Sequence, residues 1–136
     1  MNRLEEGTAL SMDWDKLEKA VAASGGIVPV AVQNAETREV ILVAYATEEA
    51  LRHSIKTGKA TFWSTSRREL WEKGKSSGET FTLLEVRVNC EQNSLLYIVR
   101  PDRGGICHTK NRDGKARNCY YRRLNPETME LENLDP

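Results

Sequence analysis

The sequence predicts one small α+β domain with a mostly antiparallel sheet and a few helices. Short apolar runs occur in adjacent pairs joined by polar turns, which is the pattern of β-hairpins. A segment with clear helix start and stop signals separates the first pair from the next strand. No internal repeat or low-complexity tract divides the 136 residues. We therefore assign residues 1–136 to a single domain, with its patterned core at about 27–123.

Ahead of the first strand, the sequence predicts a frayed terminus and then one helix. The first ten residues are largely polar and show no sustained periodicity. Ser11 or Asp13 can cap a helix whose apolar positions recur at i, i+3 and i+7 from Trp14. Gly25 and its neighbouring glycine then end that helix.

Residues 27–46 predict the first β-hairpin. The stretch "IVPVAVQN" forms its first strand, in which Pro29 indicates an edge strand or an early position within a strand. The stretch "VILVAYA" (40–46) forms the second strand and is apolar enough to be buried on both faces. The polar residues between them supply the turn.

Thr47 predicts the start of a helix. Its hydroxyl can accept a hydrogen bond from an unpaired N–H group, and Glu48 and Glu49 suit the positive end of the helix dipole. Gly58 is the expected stop. A short strand at 60–64 follows, ending in a cluster of Ser, Thr and Arg.

A second hairpin is predicted from strands at 80–89 and 94–100, joined across "CEQN". Strict alternation places Val86 on the same face as Leu84 and Val88. The rest of the chain lacks periodicity. We expect loops at 71–79 and 101–118 and an acidic C-terminal tail on the surface.

The composition excludes several classes of function. Twenty basic and twenty acidic residues cancel, so no global field favours DNA or an anionic membrane. No apolar run approaches the roughly 20 residues that span a bilayer, and the first ten residues do not resemble a secretory signal. Three cysteines without an export signal suggest a reducing compartment, so we expect a cytoplasmic protein without a membrane partner.

Three cysteines form the main chemical constellation. Cys90 sits at the turn of the second hairpin, while Cys107 and Cys119 lie in a glycine- and arginine-rich loop. None of the spacings is a C-x-x-C knuckle, so zinc ligation, unrelated thiols and redox use all remain open. A lone histidine, His108, could be a fourth ligand, a general base or an ordinary hydrogen-bonding loop residue.

Four segments of the chain resemble the phosphoribosyl-AMP cyclohydrolase family. They are "VAVQNAETREVILVAY" with "EEAL", "ATFWSTSRRELWEKGKSSG", the hairpin "NCEQN", and "GGICHT" followed by "CYYR". The resemblance implies a small α+β homodimer in which three cysteines bind one zinc ion at the subunit interface. The matching residues are Cys90, Cys107 and Cys119.

The resemblance also implies a reaction, the opening of the adenine ring of N1-(phosphoribosyl)-AMP in histidine biosynthesis. Zinc-bound hydroxide would attack C6, with N1 as the leaving group and His108 as the proton shuttle. The substrate carries two phosphates, so convergent cations and hydrogen-bond donors are required. The candidate substrate-binding residues are Ser64, Ser66, Arg67, Lys73, Ser77 and Gly78.

The chain departs from the family around the presumed active site. The family carries three aspartates around the hairpin cysteine that bind magnesium, where this chain has Asn89, Glu91 and Asn93. Magnesium prefers anionic oxygen ligands, so we do not expect a family-like magnesium site. Glu79 and Phe81 replace polar residues of the family, and the 107–119 connection is longer than usual. These changes leave open a divergent zinc hydrolase or deaminase acting on another purine-like or nitrogen-heterocyclic substrate.

Two hypotheses come from other classes. Six cations between residues 110 and 123 surround Tyr120 and Tyr121, and this mixture could bind RNA through phosphate contacts and base stacking. A purely structural zinc module is the other alternative, and it would unfold on chelation.

Overall fold

The computed structural model describes residues 3–9 and 26–136, so the helix predicted to begin at Ser11 or Asp13 lies outside the described residues. Two helices and eight strands follow in the order α1 (Arg3–Glu6), β1 (Val28–Asn34), β2 (Val40–Ala46), α2 (Glu48–Thr57), β3 (Thr61–Ser64), β4 (Glu69–Glu72), β5 (Phe81–Val88), β6 (Leu95–Pro101), β7 (Arg122–Leu124) and β8 (Leu131–Asn133).

The main sheet has four strands in the order β2-β1-β6-β5. Both predicted hairpins are confirmed, since β1 pairs with β2 and β5 pairs with β6 in antiparallel register. The hairpins join through β1 and β6, which run parallel, with Val30 opposite Leu95 and Asn34 opposite Val99. The α+β class with a mostly antiparallel sheet is therefore confirmed.

Helix α2 forms where its cap signals place it. The Thr47 hydroxyl accepts the Ala50 N–H at 3.1 Å, and Gly58 adopts a left-handed φ of 73° that only glycine enters freely. Ser54 is buried and ties the helix to β3, because its hydroxyl donates to the Ala50 and Thr61 carbonyls.

The core lies between the main sheet and the layer made by α2 and the β3–β4 hairpin. Phe62, Phe81 and Tyr97 are fully buried, and the Phe62 ring lies 5.7 Å from that of Tyr97. Trp71 packs against the Phe62 ring at 5.6 Å, which makes it part of this packing. The other buried residues of this apolar cluster are Val30, Val32, Ile41, Leu42, Ala46, Ala50, Ala60 and Val99.

For the first hairpin, the early-position alternative for Pro29 is confirmed and the edge-strand alternative is not. Strand β1, which carries Pro29, is an interior strand, while β2 lies at an edge of the described sheet. Pro29 is tolerated because it sits early in β1, before the pairing with β6 begins at Val30. The expectation that β2 is buried on both faces is wrong within one chain, since Val40 and Val43 are about half exposed.

The predicted alternation of β5 is also wrong beyond its middle. The register with β6 shifts between Leu83 and Glu85, so Leu84 is an extra, bulged residue. After the bulge the faces swap, and Val86 packs on the core with Leu83 while Leu84 is exposed. A one-residue insertion of this kind is invisible to a period-two pattern.

Four short elements were not predicted. Strand β4 overlaps the stretch expected to be a loop, and it pairs with β3 so that Trp71 lies opposite Phe62. Strands β7 and β8 form a hairpin in the region expected to be a surface tail. The terminus is not frayed throughout, because α1 forms and Ala9 bridges to Glu130. The β3–β4 and β7–β8 pairings are local hairpins, whereas the Ala9–Glu130 bridge joins residues distant in sequence. None of the helices in the described part of the chain is long and apolar enough to span a membrane.

Candidate active site

Two of the three cysteines meet on the loop after β6. The Cys107 N–H donates to the Arg117 carbonyl at 2.9 Å, and the Arg117 N–H donates to the Thr109 carbonyl at 3.2 Å, so the loop folds back on itself. The Cys119 N–H is held by the Ile41 carbonyl of β2. These backbone bonds bring the Cys107 and Cys119 side chains close enough to interact electrostatically and by hydrogen bonding.

The surroundings of Cys107 suit a thiolate. Its sulfur accepts the Thr109 N–H at 3.4 Å and lies 3.1 Å from the Thr109 hydroxyl. Donors of this kind orient a metal-binding thiolate and stabilise its charge. Cys119 lies at the surface, yet protein atoms crowd its thiol. This desolvation, followed by the negative charge of Cys107, raises the pKa of the Cys119 thiol, while Lys73 opposes the shift.

Lys73 reaches this pair of thiols from the loop after β4. Its ammonium lies 4.8 Å from the Phe81 ring centroid and donates to the Glu79 carbonyl at 3.2 Å. Desolvation lowers the pKa of Lys73, and the negative charges of Glu79, Cys107 and Cys119 partly offset that shift. Phe81 therefore provides an aromatic face beneath this cation.

Glycines pack the 73–79 loop against the 103–107 loop. Gly74 has φ +79°, and a Cβ there would lie 2.1 Å from the Glu79 carbonyl carbon. A Cβ on Gly105 would lie 2.3 Å from the Glu79 carboxylate, which accepts the Gly105 N–H at 2.9 Å. Gly78 has φ +81° and abuts the Arg103 guanidinium. Ser77 caps the turn by accepting the Glu79 N–H. The two loops therefore form one surface beside the thiols.

Cys90 does not join the other two cysteines within one chain. It is exposed at the β5–β6 turn, and no group of three His, Cys, Asp or Glu side chains with metal-binding geometry occurs among residues 3–9 and 26–136. The turn is closed instead by Asn89, whose Oδ1 accepts the Asn93 and Ser94 N–H groups at 2.9 Å. The Asn89 Nδ2 donates to the Asn93 Oδ1 at 2.6 Å.

These contacts do not fit a magnesium site. The amide oxygens of Asn89 and Asn93 already accept hydrogen bonds within the turn, and Glu91 is the single carboxylate of the three positions. A hard divalent cation favours several anionic oxygens in near-octahedral geometry. The chemistry of the three positions therefore does not favour magnesium, and the absence of a family-like magnesium site stays a prediction.

Three predicted substrate residues lie together at the other end of the β3–β4 hairpin. The Ser64 hydroxyl accepts the Arg67 N–H at 3.3 Å and its Nε–H at 3.4 Å, and it lies 3.4 Å from the Ser66 hydroxyl. Lys73 follows the opposite end of β4. Three residue pairs of the hairpin separate the two groups, or roughly 10 Å of strand. The sequence grouped these residues, while the structure divides them into two clusters.

His108 points away from the core and toward the N-terminal segment. Its Nε2 lies 2.6 Å from the Glu5 Oε1, and its side chain is 79% exposed. The sequence pattern gave no signal for this partner, because 103 positions separate the two residues.

Three of the six cations in the predicted basic patch contact other side chains of the protein. Arg117 is buried and binds Glu6 through both guanidinium nitrogens, at 2.6 and 3.3 Å. Arg122 stacks on the buried Tyr121 ring, and Arg123 binds Glu132 at 2.8 Å. Lys110 and Arg112 line a cleft of about 400 Å³ beside Arg117. These contacts use three of the six cations in the fold. Lys110, Arg112 and Lys115 are exposed, as is Tyr120, so RNA binding stays a hypothesis from the sequence.

Glu79 is a site residue that sequence analysis treated only as a departure from the family. Its position one residue after a glycine turn was a weak signal, and its contact with Gly105 depends on the packing of two distant loops. Paired thiols, a half-buried ammonium and two glycine-rich loops at the edge of a small α+β sheet form a candidate binding site for a small polar molecule.

Comparison with known proteins identifies the family of the chain. The sequence model of the phosphoribosyl-AMP cyclohydrolase family matches residues 42–121. The phosphoribosyl-AMP cyclohydrolase of Archaeoglobus fulgidus is 44% identical over 73% of this chain and 86% of that protein. The corresponding protein of Halobacterium salinarum is 42% identical over 82% of this chain and 81% of that protein.

A histidine biosynthesis bifunctional protein of Aquifex aeolicus is 38% identical over 77% of this chain and 49% of its own length. The family match spans both cysteines of the site, Lys73 and the 103–107 loop. The chain belongs to the phosphoribosyl-AMP cyclohydrolase family, whose members are hydrolases acting on a cyclic amidine. It is an enzyme of this family.

Proposed function

We propose that the protein hydrolyses N1-(phosphoribosyl)-AMP by opening its adenine ring, as a step of histidine biosynthesis. The observation that supports this most directly is the convergence of Cys107, Cys119 and Lys73 beside the glycine-packed loops, all inside the region that matches the family. The water-derived oxygen would bond to C6, the C6–N1 bond would break, and N1 would take a proton.

Zinc is the metal that this donor set fits. Cys107 and Cys119 present two adjacent soft ligands, and donors from Thr109 already stabilise one of them. Because Cys90 lies apart in the same chain, we propose that a second copy supplies it. When bound, zinc held by three thiolates supplies an activated water for attack on an electron-poor carbon.

A homodimer would explain the apolar edges of the main sheet. Val88 on β5 is 55% exposed and lies two residues before Cys90, and Leu84 on the same strand is about half exposed. Val40 and Val43 leave the opposite edge strand similarly uncovered. Exposed apolar strands of this kind favour association with another chain. A partner chain packed on β5 would have the Cys90 of this chain at the interface.

The remaining site residues have distinct roles in this proposal. The His108 imidazole moves a proton from the attacking water to N1. The Lys73 ammonium and the amides around Ser77 and Gly78 bind one phosphate of the substrate. Arg67, with the Ser64 and Ser66 hydroxyls, forms a second anion-binding cluster at the far end of the hairpin. Two separated clusters suit a substrate with a phosphate at each end.

We do not include a magnesium ion, since Asn89 and Asn93 satisfy each other. The proposal includes a cytoplasmic location, because thiols that serve as metal ligands require a reducing compartment.

The test is turnover of N1-(phosphoribosyl)-AMP by the zinc-loaded protein, followed by the ultraviolet change on ring opening. We expect Cys107→Ser and Cys119→Ser each to abolish turnover. Ser76→Ala changes an exposed residue of the 73–79 loop. This variant is the matched control and should keep wild-type turnover. A folded, zinc-bound wild type without turnover would overturn the proposal and favour a divergent hydrolase of another nitrogen heterocycle.

A further inference from the structure

Residues 5–9, here called the N-terminal strap, lie across the segment that carries the two cysteines of the site. The Tyr121 hydroxyl donates to the Glu5 carbonyl, and the Arg122 guanidinium donates to the Gly7 carbonyl at 3.1 Å. The Leu131 N–H donates to the Thr8 carbonyl. The strap precedes the region that matches the family, so the family comparison assigns it no role.

The strap is attached to the backbone that positions Cys107. Glu6 binds both terminal nitrogens of Arg117, whose side chain is 3% exposed. The Arg117 backbone in turn holds Cys107 and Thr109 through two hydrogen bonds. This desolvated, bidentate pair fixes the strap in register with the cysteine loop. The side chain next to Glu6 is therefore held at a defined place on that loop.

That neighbouring residue is Glu5, and its side chain contacts the His108 imidazole. We propose that Glu5 is a positioning residue for His108, holding its ring in the orientation that proton transfer needs. The two atoms lie 2.6 Å apart, and the Glu5 backbone is fixed by Tyr121. The inference rests on the proposed function, because it assigns Glu5 a role through His108 in that reaction.

The chemistry of the pair defines which ring nitrogen is available. A carboxylate only accepts hydrogen bonds, so the His108 Nε2 must carry the proton that it donates to Glu5. In the neutral ring the Nδ1 is then the acceptor that remains for the reacting proton. The ring and Glu5 are both partly exposed, so their contact adds little to stability. The contact instead fixes the orientation of the His108 ring.

The kinetic test compares Glu5→Ala, Glu5→Gln and Thr8→Ala. A positioned general base raises the reaction rate by roughly 10²- to 10⁴-fold. We expect Glu5→Ala to lower kcat by about tenfold or more and to leave KM nearly unchanged. Glu5→Gln keeps an acceptor for the Nε2–H and should recover most of the rate. Thr8 lies in the same strap and contributes only its backbone carbonyl, which accepts the Leu131 N–H, so Thr8→Ala is the matched control. In the His108→Ala background, Glu5→Ala should cost nothing further, because both changes remove the same function.

A second measurement needs no turnover. The chain has two histidines, and the other, His53, lies exposed on α2, where it serves as an internal reference. We expect Glu5→Ala to move the Nε2 nitrogen resonance of His108 and to leave that of His53 in place. An unchanged resonance, or a wild-type kcat in Glu5→Ala, would overturn the inference. A wild type that opens no ring would overturn the proposed function itself, whatever the resonance does, and with it the role of Glu5 in catalysis.

Discussion

The Asp102 side chain fixes the start of the loop that carries Cys107 and Cys119. It follows β6 directly and accepts hydrogen bonds from the Thr80 and Thr82 hydroxyls at 2.7 and 2.6 Å and from the Lys59 ammonium at 2.8 Å. Burial alone would raise the pKa of this carboxyl. The bonds from Lys59, Thr82 and Thr80 outweigh burial and lower the pKa to about 2.

We expect Asp102 to make stability depend on acid pH. Its folded-state pKa is below the ordinary value of 3.8, so its contribution is fully present above that value and is lost as the pH falls toward about 2. Asp102→Asn should lower the free energy of unfolding by about 1 kcal/mol at neutral pH, after allowance for solvent screening, and by much less at pH near 2.

Urea denaturation of both proteins at several pH values measures this difference. Glu36→Gln, at an exposed position in the β1–β2 turn, is the control and should show no such trend. A difference between wild type and Asp102→Asn that stays constant across the acid range would contradict the assigned role.

At the scale of elements, the 73–79 loop depends on glycine at one crowded position. Gly74 and Gly58 both have positive φ, at +79° and +73°, but a Cβ on Gly58 meets nothing within 4 Å. A Cβ on Gly74 meets the backbone of Glu79 and Thr80 at 2.1 to 2.4 Å, which side-chain motion cannot relieve.

We therefore expect Gly74→Ala to be much more damaging than Gly58→Ala. The second change should cost about 1 kcal/mol from backbone strain alone. The first should cost at least about twice as much and should raise KM, because the loop that carries Lys73 must shift. Thermal melting and steady-state kinetics of both variants provide the comparison. Equal effects of the two substitutions would show that the loop contact is loose.

The β5–β6 turn permits a test of whether the protein is independent of magnesium. We expect the wild-type melting temperature and zinc-supported activity to be insensitive to added magnesium, because the Asn89–Asn93 amide pair closes the turn. A double variant that carries both Asn89→Asp and Asn93→Asp lacks the Nδ2 donor. It places two carboxylates face to face. This variant should be less stable by about 1 kcal/mol and should be stabilised by magnesium.

Asn34→Asp is the matched control for that experiment. Asn34 also closes a hairpin turn by accepting N–H groups, from Glu36 and Thr37, but no second amide faces it. It should therefore melt independently of magnesium. Magnesium-dependent melting of the wild type would contradict our account of the turn.

At the scale of the whole molecule, the separation of Cys90 from the other two cysteines predicts complementation between subunits. In a mixed dimer of Cys90→Ser and Cys107→Ser chains, one of the two sites has all three thiols. Random reassociation makes half of the dimers mixed, so about a quarter of wild-type activity should return.

A mixture of Cys107→Ser and Cys119→Ser chains is the control, and it should stay inactive because those two thiols come from one protomer. Failure of the first mixture to recover, with dimers demonstrably exchanged, would place all three ligands in one chain.

The sequence by itself determined the elements whose causes are local. Alternating apolar residues and turn signals define both hairpins, and Thr47 and Gly58 define α2, because caps and turns act within a few residues. The resemblance to the family likewise depended on contiguous motifs. The cysteines, Lys73 and His108 could be named as candidates from those motifs alone.

The tertiary structure decided which of these candidates meet. The parallel β1–β6 pairing brings two hairpins together, and the bulge at Leu84 changes the face of β5, yet neither leaves a mark on local periodicity. The contacts of His108 with Glu5 and of Glu79 with Gly105 join residues 103 and 26 positions apart. Such contacts exist because packing of the whole chain stabilises them, and no short stretch of sequence encodes that packing.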